Sequence, residues 1–229
     1  MDYSEIVKGA LQLGRSHLLE PEGYRVCEQF GIPFPRFMYV SNLEDGINAA
    51  QTIGFPVVIK VVSPQVIHKT DVGGVVVGIQ SEEQFIKAYH TIMGNVRNKI
   101  PSAEVNGMIV QKAMPAGIEI AIGGSKDAQF GPVIMFGAGG TLIELLQDVS
   151  FRLAKLDREE AMKQIENTRI FKILQGTRQN EPCNIEALAD LIVRTGDLLV
   201  EAPEISELDF NPVLVYPDRC VVVDARIVL

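Results

Sequence analysis

Hydrophobic and polar residues follow two different periods along the chain, and together they predict helices and strands in mixed order. Residues 3–15 and 21–30 have the spacing of amphipathic helices. Ser41 and Ser81 are each followed three residues later by Glu or Gln, a pattern typical of helix N-termini. Asn184 is predicted to cap a helix whose leucines form one stripe. Strands are predicted at about 35–40, 56–62, 74–79, 107–112, 117–123, 131–136, 207–216 and 219–228.

This order of elements indicates an α+β fold rather than a simple βαβ array. The chain has 229 residues, of which 47% are hydrophobic, so it can form one large domain or two closely packed ones. Helices flanking β-rich stretches would then cover the sheets.

Charge and composition exclude several classes of partner. The net charge is −8 and no Lys/Arg-rich run occurs, so nucleic acid and anionic membranes are not expected partners. No apolar run is long enough to span a bilayer, and the first residues lack the apolar core of a signal peptide. A cytoplasmic protein is therefore predicted. Cys27, Cys183 and Cys220 are few and far apart, which predicts reduced thiols.

The C-terminal stretch ELDFNPVLVYPDRCVVVDARIV predicts a β-hairpin with chemistry on one face. If its turn is centred on residues 217–218, Asn211 faces Asp224 at about 5 Å, and Asp209 points to the same side. Two carboxylates and an amide oxygen suit Mg²⁺, which usually completes its shell with water and phosphate. The alternative is an Asx turn at Asn211 with the carboxylates paired to Arg226 or a lysine.

Other candidate residues are polar groups or glycines in apolar surroundings. Lys60 lies in the apolar run FPVVIKVV, so its ammonium must meet an anion or reach water as a strand-end lysine would. In the strand GIEIAIG, one face is small except for Glu119, as the wall of a cleft would be. Gly137, Gly139 and Gly140 follow a strand and could cradle phosphate with their N–H groups, or form a plain turn.

His68 lies in the segment SPQVIHKTDVGG, beside Lys69 and Asp71. A lone histidine is often structural. Its imidazole can also act as a nucleophile toward phosphoryl groups, and Asp71 is near enough in sequence to orient it.

These segments occur in one order that resembles a known family. They are Lys60 in VVIK, SPxxxHKTDVGG, the strand ending at Gln111 with AMPAG after it, Glu119, GPVIMFGAGG, and ELDFNP with VVVDARIVL. Together they resemble the ATP-grasp β subunit of the NDP-forming acyl-CoA synthetases, in particular that of ADP-forming acetyl-CoA synthetase. The resemblance covers essentially the whole chain.

The resemblance implies an ATP-grasp fold, in which one domain of residues 1–229 clasps a nucleotide between two α+β subdomains at about 20–106 and 107–229. It places Lys60 at the nucleotide phosphates and Glu119 at the nucleoside. It places Mg²⁺ at Asn211 and Asp224, with Asp209 binding the metal or facing a phosphohistidine. The other implied nucleotide contacts are an adenine hinge of Gln111, Lys112, Ala113 and Met114 and a phosphate loop containing Gly137, Gly139 and Gly140.

The chemistry implied by the resemblance converts acyl-CoA, phosphate and ADP into free acid, CoA and ATP. A CoA-binding α subunit, expected in an α2β2 heterotetramer, would form the acyl phosphate and deliver its phosphoryl group. This chain would then be the ADP/ATP-binding subunit of an ADP-forming acid–CoA ligase. His68 would take part in phosphoryl transfer, either as a second phosphohistidine or as a contact to the phosphate donor. Lys112 stands where members of this family commonly have an acid.

Two other functions fit the same fold. One is the β subunit of a succinyl-CoA synthetase or related ligase, and the other is a nucleotide-sensing module without catalysis. The presence of Lys60, Asn211 and Asp224 argues against the second, because loss of one of them would be its simplest sign.

Overall fold

A computed structural model of the protein describes residues 2–140, 148–177 and 181–229, and it confirms a mixed α+β architecture. The elements are α1 (Tyr3–Gln12), α2 (Glu20–Gln29), β1 (Phe37–Val40), α3 (Leu43–Ile53), β2 (Val57–Val62), β3 (Val75–Ile79), α4 (Glu82–Lys99), β4 (Gly107–Lys112), β5 (Ile118–Asp127), β6 (Gly131–Ala138), β7 (Val149–Leu153), α5 (Arg158–Glu166), α6 (Phe171–Leu174), α7 (Ile185–Glu201), β8 (Glu207–Val215), β9 (Cys220–Val222) and β10 (Ala225–Val228).

The described residues form two compact units. Pro35–Pro115 is the smaller unit, and the chain on both sides of it forms the larger one. The smaller unit is a four-stranded antiparallel sheet in the order β1-β4-β2-β3, against which α3 and α4 pack. Its core joins apolar residues of the sheet to Phe85 and Ile92 of α4, which are fully buried.

The division between the units differs from the predicted boundary near residue 107. Strand β4 pairs with both β1 and β2, so it completes the smaller sheet, and the unit ends at Pro115. The N-terminal helices belong to the larger unit. The segment between α1 and α2 forms hydrogen bonds with the C-terminal end of the chain. The Leu18 N–H donates to the Ile227 carbonyl of β10 at 3.0 Å, and the Leu229 N–H donates to the Ser16 carbonyl at 2.8 Å.

The larger unit contains a sheet in the order β10-β8-β5-β6-β7, with β9 also paired to β8. One face packs on α7, whose predicted leucine stripe is buried there. The sheet residues of this face are large and almost completely buried: Ile120, Ile122, Ile134, Phe136 and Phe210. The opposite face carries the polar and glycine positions of the candidate site.

Two of the three predicted caps are confirmed. The Ser81 hydroxyl accepts the Gln84 N–H at 3.2 Å, and the Asn184 side chain accepts the Ala187 N–H at 2.9 Å. The prediction for Ser41 is wrong, because Asn42 is the N-cap of α3 and its side chain accepts the Asp45 N–H at 2.9 Å. Asparagine caps at least as well as serine, so the helix begins one residue later.

The glycines inside α3 and α4 give a paired stability prediction. Gly94 of α4 is exposed and would have open space around an added Cβ, so Gly94→Ala is expected to raise the unfolding free energy by about 0.5–1 kcal/mol. At Gly46 of α3 the added Cβ would lie 3.0 Å from the ring of buried Phe85, so Gly46→Ala should bring no such gain. Urea unfolding of both variants measures this. An equal effect of the two substitutions would contradict it.

The predictions about thiols and membranes are tested by burial and helix length. Burial raises the pKa of the Cys27 thiol and raises that of Cys220 to about 11, so neither is a reactive thiolate at neutral pH. All three cysteines are free thiols. None of the helices that the structure describes is long and apolar enough to cross a membrane.

Candidate functional site

The C-terminal hairpin has the predicted register. The Tyr216 N–H donates to the Arg219 carbonyl at 2.8 Å and closes a two-residue turn. Beyond the turn Val213 faces Val222, and at the other end Phe210 faces Ala225 in the same unshifted register. The residues between these pairs therefore oppose each other as predicted, with Asn211 across from Asp224.

The other edge of β8 contains a β-bulge that the sequence did not reveal. On β5, Ile120 faces Val213 and Ile122 faces Phe210, so residues 211 and 212 of β8 share the space opposite Ala121. Pro212 cannot donate a ladder hydrogen bond, which suits it to a bulge. Asp209 and Asn211 are consequently half-buried on the polar face, while Phe210 and Val213 are buried in the core.

The glycine loop after β6 contacts this bulge. The Gly140 N–H donates to the Asn211 Oδ1 at 3.2 Å, and the Gly139 N–H donates to the Glu119 carbonyl at 3.0 Å. A Cβ on Gly139 would lie 2.5 Å from the Ile120 backbone, and one on Gly140 would contact the Glu119 carboxylate. The loop, Glu119 and Asn211 are thus brought together by approaches that only glycine allows.

The third glycine, Gly137, lies within the sheet rather than beside Asn211. A Cβ on Gly137 would lie 2.6 Å from the Asp148 carbonyl, and Gly137 is paired with Ala121 and Val149 on either side. Gly137 therefore permits the close pairing of β6 and β7 beneath the loop. The rest of the loop after Gly140 lies outside the described residues.

The donor set of the hairpin fits a hard divalent cation. It offers the Asn211 amide oxygen and the Asp224 carboxylate from opposed positions, and both side chains are only partly exposed. Asp209 lies opposite Arg226, which is the neighbour that the ion-pair alternative requires. In the described ranges no three His, Cys, Asp or Glu side chains cluster as a metal site, so a cation here would depend on the amide and on phosphate or water.

The smaller unit contains Lys60 and the predicted hinge. Lys60 is 3% exposed and lies within β2, between Val75 and Ile109, so it is not a strand-end lysine that reaches solvent. Gln111 is fully buried on the adjacent β4. The hinge begins at the C-terminal end of that strand, where the Ala113 N–H donates to the Pro56 carbonyl at 3.1 Å, and Met114 follows half-buried.

The unusual residue Lys112 has a structural partner. Its Nζ donates to the carbonyls of Gly54 and Phe55 at 2.8 and 3.0 Å, where α3 ends. A cation at a helix C-terminus is stabilised by the exposed carbonyls and the helix dipole. Because its ammonium is held at the end of α3, a nucleotide contact from Lys112 would have to come from its main chain.

The loop that carries His68 is fixed at its far end, while the imidazole is exposed. The Lys99 Nζ donates to the Asp71 carbonyl at 2.7 Å, and the Asn95 side chain donates to the Gly73 carbonyl at 3.0 Å. Gly73 has a φ of +66°, and a Cβ there would lie 2.6 Å from Asn95. Within the described part of the chain, no hydrogen bond joins His68 to Asp71, so the predicted orienting role of Asp71 has no support.

A buried polar contact behind the hairpin was missed by the sequence analysis. Tyr24 of α2 is fully buried, and its hydroxyl contacts the carboxylate of Glu20, which is 5% exposed. The same hydroxyl lies 3.0 Å from the carbonyl of Val223, the residue before Asp224. The helical spacing of Glu20 and Tyr24 was the available signal, but nothing in the sequence identified their partner.

Tyr24→Phe is expected to lower the unfolding free energy by about 1–3 kcal/mol, because it removes the hydroxyl that contacts the buried Glu20 carboxylate and the part-buried Val223 carbonyl. Tyr3→Phe is the matched control. The Tyr3 hydroxyl also donates to a backbone carbonyl, that of Glu201 at 2.9 Å, but at an exposed position, so its loss should change stability by less than about 0.5 kcal/mol. Thermal unfolding measures both. If both substitutions lowered the unfolding free energy equally, the buried Tyr24 contact would contribute no more to stability than the exposed Tyr3 contact, and the prediction would be wrong.

Comparison with known proteins identifies the family. Residues 9–229 match the ATP-grasp domain family. Over 98% of its length the chain is 45% identical to the β subunit of acetate–CoA ligase (ADP-forming) I of Pyrococcus furiosus, and it covers 97% of that subunit. The chain belongs to the ATP-grasp family. Within it, the chain groups with the β subunits of ADP-forming acid–CoA ligases, as the motifs had indicated.

Further ATP-grasp relatives show how this chain relates to longer enzymes. It is 41% identical to acetate–CoA ligase (ADP-forming) I of Archaeoglobus fulgidus, over 98% of this chain but 33% of that ligase. It superimposes with a TM-score of 0.96 on a chain of Ca. Korarchaeum cryptofilum dinucleotide forming acetyl-coenzyme A synthetase 1 solved with coenzyme A, Ca-AMPCP and HgCl+. That chain is 46% identical, and each covers 98% of the other. The predicted ATP-grasp fold is confirmed.

Proposed function

We propose that this chain is the nucleotide-binding β subunit of an ADP-forming acyl-CoA synthetase. In the reaction, acyl-CoA, phosphate and ADP give free acid, CoA and ATP, and this chain passes the phosphoryl group to ADP. The observation that carries the proposal is the contact of the Gly140 N–H with Asn211, in a chain that matches such β subunits along nearly their full length. It brings the predicted phosphate loop to the predicted metal hairpin.

Asn211 and Asp224 are proposed to hold Mg²⁺, which supplies positive charge to the transferring phosphoryl group when bound. Asp209 would either complete this site or face the phosphohistidine of the partner. Its position opposite Arg226 favours a carboxylate held in a fixed orientation. Main-chain N–H groups of the glycine loop would bind phosphate oxygens beside these residues.

The remaining nucleotide contacts are proposed residue by residue. Lys60 would neutralise the nucleotide phosphates, and its burial would make that contact stronger than one made in water. The hinge of residues 111–114 would bind adenine, with Lys112 contributing main-chain atoms because its ammonium is held by the end of α3. Glu119 is exposed beside Gly140, where it could bind the ribose.

His68 is proposed as a phosphoryl-transfer residue. As a second phosphohistidine, its ring nitrogen would form an N–P bond as the N–P bond of the partner's phosphohistidine breaks. An oxygen of the ADP β-phosphate would then attack that phosphorus and release the imidazole. The exposed imidazole on an anchored loop is compatible with this transfer, and also with a simple contact to the phosphate donor.

His68→Gln is expected to abolish acid-labile labelling of the chain when radioactive phosphate, acetyl-CoA and the partner subunit are supplied. His90→Gln is the matched control, because His90 is also an exposed histidine of the smaller unit and should keep the label. Loss of turnover in His68→Gln without any label in the wild-type chain would assign His68 the contact role. Normal label and turnover in His68→Gln would remove it from the mechanism.

The partner is proposed to be a CoA-binding α subunit in an α2β2 assembly. The chain spans 33% of the single-chain ligase of Archaeoglobus fulgidus and 97% of the Pyrococcus furiosus β subunit, and this similarity to a β subunit supports a partner that supplies the remaining chemistry. We place the assembly in the cytoplasm, a reducing compartment in which free thiols such as Cys27 persist.

ATP formation from ADP, phosphate and acyl-CoA tests the proposal. The chain alone should form no ATP, and addition of a CoA-binding subunit from the same genome should restore ATP formation. A panel of acyl groups that includes acetyl, succinyl and 4-hydroxybutyryl separates the acetate-type function from the succinate-type one. Nucleotide binding without turnover in any reconstituted pair would favour a sensing module instead.

A further inference from the structure

Helix α2 and the chain on both sides of it run along the strand pair that carries Asp224. Before the helix, the Leu18 N–H donates to the Ile227 carbonyl of β10 at 3.0 Å. After it, the Pro33 carbonyl accepts the Val222 N–H of β9 at 2.9 Å. The helix packs on β10 between these two bonds. Asp224 lies between β9 and β10, so the chain is bonded to the α2 region on both sides of this residue.

The main chain next to Asp224 cannot form one of the regular hairpin bonds. In the hairpin register Val223 is opposite Pro212, and the Val223 N–H donates to the Pro212 carbonyl at 3.0 Å. A hydrogen-bonded antiparallel pair normally exchanges two bonds, but proline has no N–H with which to return the second. The Val223 carbonyl accepts a hydrogen bond from the Tyr24 hydroxyl at 3.0 Å instead. A side chain of α2 thus supplies the donor that β8 lacks.

The Tyr24 hydroxyl is held in a fixed position. Its ring is fully buried and packs on Phe34, with the two ring centroids 4.2 Å apart. The hydroxyl also contacts the carboxylate of Glu20, which is 5% exposed and lies one helical turn earlier on α2. Because both side chains are buried, water cannot readily replace the contacts of this hydroxyl.

The Val223 carbonyl influences the position of Asp224 through the peptide bond that joins the two residues. This peptide unit is planar, so holding its oxygen fixes the direction in which the chain enters Asp224. On the other side, Ala225 is paired with Phe210 of β8. Both neighbours of Asp224 are therefore held, which favours a carboxylate that stays opposite Asn211 before a cation binds.

We propose that Tyr24 is a positioning residue for Asp224, and that Glu20 holds the Tyr24 hydroxyl in place. The inference rests on the proposed function, in which Asp224 and Asn211 hold Mg²⁺. Groups behind a metal ligand commonly determine metal affinity by fixing the orientation of that ligand. Tyr24 acts in this way through main-chain atoms, and it contacts neither the cation nor the nucleotide.

Tyr24→Phe tests the proposal, because it removes the hydroxyl and leaves a ring against Phe34. The affinity for ADP should fall by about tenfold in Mg²⁺ and stay unchanged in EDTA. Thr195→Val is the matched control. Thr195 is also fully buried and its hydroxyl donates to a backbone carbonyl, that of Leu191 at 2.7 Å, but it lies on α7. This variant should keep its affinity in Mg²⁺. Calorimetric titration of the β chain and the reconstituted enzyme, at a temperature where unfolding curves show each variant folded, measures the difference.

Two Glu20 variants provide a test that does not depend on the folding of Tyr24→Phe. Glu20→Ala removes the partner of the Tyr24 hydroxyl, so it should cause the same loss of affinity in Mg²⁺ alone. Glu20→Gln keeps a polar partner for the hydroxyl and should retain most of the affinity. Equal affinities of these two variants in Mg²⁺ would remove Glu20 from the proposed role.

Hydrogen–deuterium exchange gives a readout that needs no metal. In the β chain without Mg²⁺ or nucleotide, Tyr24→Phe should speed the exchange of main-chain N–H groups at residues 223–225, because the carbonyl between them loses its donor. Thr195→Val should leave these groups at the wild-type rate. Wild-type exchange at residues 223–225 in Tyr24→Phe would contradict the positioning role.

The outcomes separate this proposal from the proposed function. If ADP binding of the wild-type protein does not depend on Mg²⁺ in either preparation, the proposed function fails and the inference fails with it. If the wild type depends on Mg²⁺ and Tyr24→Phe depends on it equally, the positioning proposal alone is overturned. It is also overturned if Tyr24→Phe loses the same affinity in Mg²⁺ and EDTA, or if Thr195→Val loses as much as Tyr24→Phe.

Discussion

Asp224→Ala is expected to lower the Mg²⁺-dependent affinity for ADP by at least about 100-fold and to abolish ATP formation in the reconstituted enzyme. The reason is geometric. Asp224 faces Asn211 in an unshifted hairpin register, and Asn211 in turn accepts the Gly140 N–H of the phosphate loop. Removing the carboxylate leaves the Asn211 amide and the Asp209 carboxylate as the remaining candidate oxygen donors of the hairpin.

Asp218→Ala is the matched control for this variant. Asp218 lies in the turn of the same hairpin, and its carboxylate forms an exposed ion pair with Arg219 at 2.6 Å. Exposed pairs contribute little to stability, so this variant should fold and bind normally. Magnesium titrations of ADP binding compare the two. An Asp224→Ala protein with wild-type Mg²⁺ dependence would remove Asp224 from the site.

Lys60→Met is expected to weaken ADP binding by about 10–100-fold while leaving the weak binding of adenosine nearly unchanged. Methionine keeps an apolar stem in the fully buried strand β2, so the substitution removes the charge with little change in packing. The lost interaction is with phosphate, and adenosine has none. Calorimetric titrations with both ligands measure the difference.

Lys87→Met removes an exposed positive charge from α4 in the same unit and should leave both affinities unchanged. An equal loss for adenosine and ADP in Lys60→Met would contradict a phosphate contact. It would indicate instead that the variant disturbs the smaller unit as a whole.

The sequence predicted the hairpin register because a two-residue turn fixes which residues face each other. It could not predict the bulge on the other edge of β8, because that edge is determined by pairing with β5, which is distant along the chain. The same limit applies to Tyr24. Its contact with Val223 joins residues 199 positions apart, and no local pattern marks it.

The sequence analysis placed the boundary between the units before β4 and did not predict β7, for related reasons. The run that ends the smaller unit, β4, was assigned to the second half because its partners β1 and β2 could not be identified from the sequence. Strand β7 has apolar residues on its exposed face, so its alternation gives no sign of a buried side. Lys112 shows the converse case, in which a residue that the resemblance marked as a departure has a local structural partner.

Calorimetric titration with ADP, in Mg²⁺ and again in EDTA, tests the central claim most directly, and it can be made on both the β chain and the reconstituted enzyme. The account predicts binding in Mg²⁺ that is weakened at least tenfold in EDTA, since the hairpin and loop bind phosphate together with the cation. Absence of ADP binding in both preparations, or equal affinity in Mg²⁺ and EDTA, would contradict it.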